Sequence, residues 1–315
     1  MPLFDQKKQH IPSNLLKDKF GWPPFSILNT ISPYWQRRKD EWENLYKDST
    51  AGRDVHRFNA TPTNTFSARG ADVKQPESVS EFDPYLCELM YRWFSLPGMS
   101  VLDPFSGGCV RGIVAAALNR HYTGIDLSSV QVDTNNTIFN SVQSRYSDIA
   151  GSVNWVCDDA DTGIPKLTSK FDMVFTCPPY YNLERYTKDP RDLSNLPTYQ
   201  AFLKKYSSIL LKSALALNED CFFVIVVSEI RSSVELKDSE YRGFVPDTIH
   251  ILMGSGLKYY NEIILENAIG SLPIRAPKYF DSARKIGRHH QNILVFYKGD
   301  ILHIPDKFKK LSEQD

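Results

Sequence analysis

From Asp83 onward the chain alternates short apolar runs with longer stretches of helical periodicity. Val101–Leu102, Tyr122–Ile125, Val153–Val156, Met173–Thr176, Cys221–Val227, Tyr259–Glu266 and Gln291–Tyr297 are compact apolar segments and read as strands. Between them, Asp83–Phe94, Gly112–Asn119, Ser129–Val142, Tyr199–Leu217 and Val245–Gly254 read as helices. Pro84 falls early in the first of these, where a missing backbone N–H costs nothing. Strands alternating with helices predict βαβ units and an α/β domain with a mainly parallel sheet.

Residues 1–80 break this rhythm and read as irregular, with scattered Pro, Asn and Ser. Their aromatic residues include Phe20, Trp22, Phe25, Tyr34, Trp35 and Trp42. One amphipathic helix stands out, WQRRKDEWENLY (Trp35–Tyr46), with Trp35, Trp42 and Tyr46 near one face. Arg53–Pro76 reads as a loop, and the terminal DKFKKLSEQD as a charged, frayed tail. The expected organisation is an N-terminal aromatic-rich extension (1–80), one α/β domain (81–300) and a tail (301–315). No internal repeat is present.

Composition excludes more than it assigns. The 37 basic residues match the 37 acidic ones, so any nucleic-acid footprint must be local. No apolar run approaches the roughly 20 residues of a membrane span, and the N-terminus lacks the layout of a secretory signal. Cys87, Cys109, Cys157, Cys177 and Cys221 form no CxxC pair and no zinc spacing, which predicts reduced thiols, no metal and a cytoplasmic setting.

The first chemistry-bearing stretch is VLDPFSGGCVRG (Val101–Gly112). A glycine-rich turn between a strand and a helix is the nucleotide-side corner of a doubly wound sheet. Neither GxGxxG nor a phosphate loop is present, and Asp103 sets a carboxylate where a phosphate binder would want none. Asp103, Pro104, Phe105, Ser106, Gly107 and Gly108 are therefore candidates for a cationic or amino-bearing ligand. The second strand ends in GIDLS, placing Asp126 and Leu127 where an acid can hold a ribose diol. The third ends in Asp158 and Asp159, where an acid can accept from an adenine amino group. Three strand-tip acids and a glycine corner suit S-adenosyl-L-methionine (AdoMet), although each acid alone is equally a turn or cap residue.

The fourth strand ends in VFTCPPYYN (Val174–Asn182). Two prolines must stop a central strand, and they make a stiff corner from which Tyr180 and Tyr181 leave in fixed directions. DPFSGG, GIDLS and TCPPYY together resemble the amino-methylating DNA methyltransferases, whose motif is Asp, Asn or Ser followed by Pro-Pro-Tyr. The likeness runs roughly from Phe82 to Gly299 and is greatest to phage and bacterial DNA-methylase-like proteins, with EFDPYLCELMYRWF, GSLPIRA and HHQNILVFYKGD also shared. The resemblance implies a Rossmann-like AdoMet-dependent methyltransferase fold with a mainly parallel seven-stranded sheet and helices on both faces. It also implies AdoMet as methyl donor, duplex DNA as partner, and methyl transfer to N6 of adenine or N4 of cytosine on a flipped-out base. Cys177, Pro178, Pro179 and Tyr180 would form the base pocket, supported by Thr176 and Asn182. Phe82 and Asp83 would touch the methionine end of the cofactor, although Asp83 serves equally well as a helix cap.

Cys177 departs from that motif, since a thiol is a weak donor and acceptor. It is a small substitute, with Thr176 or the backbone doing the polar work; or a nucleophile toward C6 of a pyrimidine, enabling C5 methylation; or the mark of an inactive, DNA-binding form. An RNA amine is a further alternative substrate. The basic stretch Gly270–His290, with Arg275, Lys278, Arg284, Lys285, Arg288, His289 and His290, is the expected DNA-recognition loop, the alternative being a solvated loop, with Arg231–Arg242 and the aromatic N-terminal region as further candidates. The two adjacent histidines lack a third ligand for a metal. KDPRDLS (188–194) is either a mobile lid or a helix-start loop. A homodimer and a restriction or phage modification partner stay open.

Overall fold

The computed structural model describes residues 13–47, 81–181, 187, 189–231 and 240–308. Asn182, the stretch Arg53–Pro76 and most of the terminal tail lie outside the described residues.

The elements are α1 (Ser13–Phe20), β1 (Ile27–Asn29), α2 (Pro33–Lys47), α3 (Pro84–Phe94), β2 (Ser100–Asp103), α4 (Val110–Ala117), β3 (His121–Asp126), α5 (Ser129–Arg145), β4 (Ser152–Cys157), α6 (Ala160–Gly163), β5 (Phe171–Thr176), α7 (Tyr199–Ala216), β6 (Leu217–Val227), α8 (Phe244–Gly254), β7 (Lys258–Glu266), α9 (Leu272–Ala283), β8 (His290–Lys298) and α10 (Ile304–Lys307). They build one sheet in the order β1-β7-β8-β6-β5-β2-β3-β4. Every neighbouring pair is parallel except those of β8, which runs against both β6 and β7. This is the expected Rossmann-like α/β class, with β2 and β5 adjacent at its centre.

Alternation along the central strands fills a core on each face. Val101, Met173 and Phe175 pack with residues of α3, α4 and α5, whereas Leu102 and Val174 pack with residues of α7 and α8. Side-chain caps fix the helix starts: Asp83 accepts from Tyr85 N and Leu86 N, Ser128 from Gln131 N, and Thr198 from Ala201 N.

Two expectations are corrected. The sheet has eight strands, because Ile27–Asn29 adds to the outer edge of β7 in register Ile27↔Ile264. The described part of the N-terminal region is therefore structured rather than irregular. Trp22, Leu28, Trp35, Trp42 and Tyr46 join the same apolar cluster as α3 and α4, and Trp35 Nε1 donates to Asp83 at 2.9 Å. Second, the stretch Gly270–His290 carries α9, despite Pro273 and Pro277. Pro273 lies in the first turn, where it is tolerated; Pro277 lies inside the helix. No described helix is long and apolar enough to cross a membrane.

Candidate active site

The glycine corner is wired by an arginine. Asp103, at the tip of β2, is fully buried. Its carboxylate accepts from Arg111 Nε at 2.6 Å, Tyr122 OH at 2.7 Å, Thr176 Oγ1 at 2.6 Å and Phe105 N at 3.2 Å. These four donors fill its lone pairs, so Asp103, expected from the sequence at the cofactor, anchors the turn in this structure. Arg111, in the first turn of α4, also donates to the carbonyls of Phe105 and Ser106 at 2.7 and 2.9 Å, and lies 4.5 Å from the Phe82 ring centroid. Burial works against its charge, but the adjoining Asp103 carboxylate outweighs burial and holds the guanidinium above its ordinary range. The Asp103–Arg111 pair thus shapes the turn from beneath.

The outer side of the turn is open. Gly107 has φ +52°, and a Cβ placed on Gly107 or on Gly108 would meet no atom of the described residues within 4 Å. The buried Ser106 Oγ has no partner among the described residues, and Pro104 is buried beside it. Asp126, half-buried at the tip of β3, accepts from Gly107 N at 2.9 Å and Ser128 N at 2.8 Å, so both oxygens are fixed and each keeps a lone pair. Burial raises its pKa, helped by the Asp103 and Asp192 charges, against the pull of those two N–H groups. Asn135 of α5 donates to Gly107 O at 2.8 Å and holds the turn from the other side. Leu127 is half-buried beyond Asp126, and the Phe105 ring stacks 6.2 Å from that of Tyr206.

The third tip splits its two acids. Asp158 pairs with Lys166 at 2.5 Å, and that bond lowers its pKa; Lys166 is mostly exposed and displaceable. Asp159 is buried, caps α6 and pairs with Lys205 of α7 at 2.7 Å. Of the two acids, Asp159 is thus committed to α6 and α7, and Asp158 is the more accessible. Asp83 takes the helix-cap alternative, accepting from Tyr85 N and Leu86 N at the start of α3, and also anchors Trp35. Phe82 stays at the corner through Arg111 and an edge contact with Phe175 at 5.8 Å.

Beyond the fourth tip, the described residues of 188–194 form a pinned turn. Asp192 accepts from Thr187 N, Thr187 Oγ1, Ser194 N and Ser194 Oγ at 2.8–3.0 Å. Asn195 Nδ2 donates to the carbonyls of Thr187 and Asp189. The described part of this stretch leads into α7, whose N-cap is Thr198.

The proline corner leaves β5 beside the glycine corner. Thr176 is buried, and its bond to Asp103 ties β5 to β2. Its hydroxyl proton is committed to Asp103, so toward the corner it could act only as an acceptor. Cys177 is half-buried with Sγ 3.8 Å from Tyr180 OH. Pro178 is buried and Pro179 half-buried. The two tyrosines diverge. Tyr181, at φ +44°, is buried against Tyr199 and Phe202. Tyr180 remains half-buried at the edge, its ring perpendicular to Phe244 and its hydroxyl accepting from Gln291 Nε2 at 3.0 Å. Arg111, Tyr122 and Gln291 are site residues that strand-tip reasoning passes over. Arg111 had a signal, a cation eight positions after Asp103 and one helical turn beyond the glycines.

The five cysteines form no disulfide with one another and differ in access. Cys157 is exposed and Cys177 half-buried; Cys87, Cys109 and Cys221 are buried, and burial pushes all three up, Cys109 to about 12. Native-state titration with a disulfide reagent is expected to show one fast thiol, a slower one, and three released only on unfolding. Cys157→Ser should remove the fast phase alone.

The excursion between β7 and β8 closes on itself at Asn267 N→His289 O (2.8 Å), and no residue of its helix α9 is buried. Lys278, Tyr279, Phe280, Arg284 and Ile286 are exposed. Arg288 instead donates to His290 O and Asn292 Oδ1 at the foot of the arm. Arg231 lies over the Tyr241 ring at 3.8 Å, and 232–239 fall outside the described residues. The His289 and His290 rings are 6.5 Å apart, and no described cluster of His, Cys, Asp and Glu could hold a metal.

No family model matches the chain. No curated protein matches it. Among solved structures it is similar to TrmN from Thermus thermophilus, at 14% identity and TM-score 0.43 over 69% of this chain and 49% of that one, so the likeness spans about half of TrmN. It is also similar to magnesium protoporphyrin IX methyltransferase from Synechocystis with bound AdoMet, at 14% identity and TM-score 0.42 over 69% and 79% of the two chains. A third is a candidate DNA modification methylase of Thermus thermophilus, at 18% identity and TM-score 0.33 over 45% and 50%.

Proposed function

We propose that this chain is an AdoMet-dependent methyltransferase acting on an exocyclic amine of a base in duplex DNA, N6 of adenine or N4 of cytosine. The observation that carries the reading is the juxtaposition of two corners. The open glycine turn after β2 and the Cys-Pro-Pro-Tyr corner after β5 leave neighbouring strands at one sheet edge, joined by Thr176 and Asp103 at 2.6 Å.

The residues fit AdoMet. Gly107 and Gly108 leave space, Ser106 Oγ offers an unused buried hydroxyl, and Asp126 presents fixed acceptors to a diol. Phe105, Leu127 and Asp158 would border the rest. Bound AdoMet supplies an electrophilic methyl group; this chain's own task is to position a weak nucleophile. An exocyclic amine is weak because its lone pair is delocalised into the ring. A rigid corner that directs acceptors at its N–H groups favours the attacking form, and Tyr180 gives an extruded base a face to stack on. The exposed Lys278 and Arg284 of the α9 arm would neutralise phosphates flanking that base.

Transfer of labelled methyl from AdoMet to duplex DNA, with nucleoside mass spectrometry, tests this reading. Label on N6-adenine or N4-cytosine that persists in Cys177→Ser is the expected result. Label on a pyrimidine C5, lost in Cys177→Ser, would replace it with thiol chemistry. Label on RNA alone would move the substrate.

Asp126 gives the site a pH dependence. A carboxylate accepts from a diol when ionised, and burial raises this one's pKa. AdoMet affinity should therefore be full at neutral pH and fall on acidification, starting at a higher pH than for an ordinary aspartate. Calorimetry should show this slope in the wild type, and weak, pH-independent binding in Asp126→Asn.

A further inference from the structure

The amine at the proline corner has two N–H groups to place, and beside its backbone carbonyls the corner offers no strong side-chain acceptor. Asp103 is saturated by four donors, and Thr176 is buried with its hydroxyl turned toward that carboxylate. Cys177 contributes a thiol, a weak acceptor. Gln291 stands on the other side. β8 runs antiparallel to β6, so its first residues arrive at the edge where β5 and β6 end, with Asn292 opposite Val227 and Ile225 opposite Thr176. Gln291 Nε2 donates to Tyr180 OH at 3.0 Å, which fixes the amide, and its Oε1 has no partner among the described residues. That same Tyr180 hydroxyl lies 3.8 Å from Cys177 Sγ, so Gln291 meets the corner beside the thiol.

We propose that Gln291 Oε1 accepts an N–H of the target amine and orients its lone pair, the role that the Cys177 thiol performs poorly. This rests on the base-amine reading above. In the transfer, the amine nitrogen forms a bond to the methyl carbon, the carbon–sulfur bond breaks with its electron pair going to sulfur, and the surplus N–H proton passes to water. Gln291 holds the amine and takes no proton, because a neutral amide is too weak a base. The placement also explains why the arm matters to the corner. Gln291 is the second residue of β8, between His290 and Asn292, and Arg288 donates to both of these neighbours.

The test compares Gln291→Met, which keeps length without an acceptor, with Gln291→Glu, which offers a carboxylate. Single-turnover methyl transfer, AdoMet calorimetry and duplex DNA anisotropy are measured for each. Gln291→Met should lose about 10–100-fold in the transfer rate, with both affinities within about twofold of wild type. Gln291→Glu should retain transfer where its carboxylate is ionised and lose it on acidification, a profile that Gln291 lacks. Wild-type rates in Gln291→Met, on a wild type that methylates base amines, would overturn the proposal and leave the reading intact. Parallel loss of rate and of either affinity would make Gln291 structural and overturn it too. A wild type that labels no base amine would remove the reading on which the proposal stands.

Discussion

Arg111→Met should lower folding stability by about 3–5 kcal/mol, the cost of leaving one member of a buried ion pair without the other. Asp103 is fully buried, and Arg111 is the only cation among the donors that satisfy it. Removing the guanidinium leaves a desolvated carboxylate held by neutral donors, and also frees the carbonyls of Phe105 and Ser106. The second loss touches function directly, because those carbonyls set the path of the turn that faces the ligand. Urea unfolding should show the stability change, and calorimetry should show AdoMet affinity reduced beyond detection. The double variant Asp103→Leu/Arg111→Met separates the two effects. It removes the stranded charge and should recover part of the stability, since replacing both members of a buried pair is far cheaper than breaking it. AdoMet affinity should stay low, because the turn is still unsupported. Full stability in Arg111→Met would show that Tyr122, Thr176 and Phe105 N suffice for Asp103.

The corners themselves were legible in the sequence because proline and glycine act on their own backbone. Pro178 and Pro179 stop β5, and Gly107 adopts φ +52° for local reasons that need no knowledge of the rest of the fold. Helices and strands of the α/β core were legible from periodicity, to within a few residues at each end. What was not legible is which way a strand-tip acid faces and what it meets. Asp103 shares its face of β2 with Val101, which packs under α3 and α4, so alternation sends its carboxylate into that layer and onto Arg111. Asp126 ends its strand on a half-buried edge and keeps lone pairs to spare. The same residue type at two neighbouring tips thus has opposite roles, decided by partners from other elements. β1 was invisible for a different reason: a three-residue strand with one buried position carries no alternation to read. α9 was hidden by its two prolines, and Gln291 by its lying at the far end of the chain from the corner it completes.

Tyr180→Ala should lower kcat/KM on duplex DNA by about 10–100-fold, the worth of about 1–3 kcal/mol of stacking for one base. The expected split follows from what the ring does. Tyr180 is half-buried, braced edge-on by Phe244 at 6.1 Å, and tied through its hydroxyl to Gln291. An extruded base loses its neighbours in the duplex, and a fixed aromatic face offsets that loss at no ordering cost to the protein. Tyr180→Phe keeps the face and removes the oxygen to which Gln291 donates. It should therefore keep DNA affinity and lower kcat alone, by loosening the amide of Gln291. Tyr180→Ala should lower both, and fluorescence of 2-aminopurine at the target position should show the base less often extruded. Tyr181→Phe supplies the internal contrast. Its ring is buried against Tyr199 and Phe202, with a long contact from its hydroxyl to Pro197 O at 3.4 Å, so neither constant should move by more than about twofold. Equal losses in Tyr180→Phe and Tyr181→Phe would mean that the two rings act through packing, and that the divergence of the tyrosines at this corner has no bearing on the base.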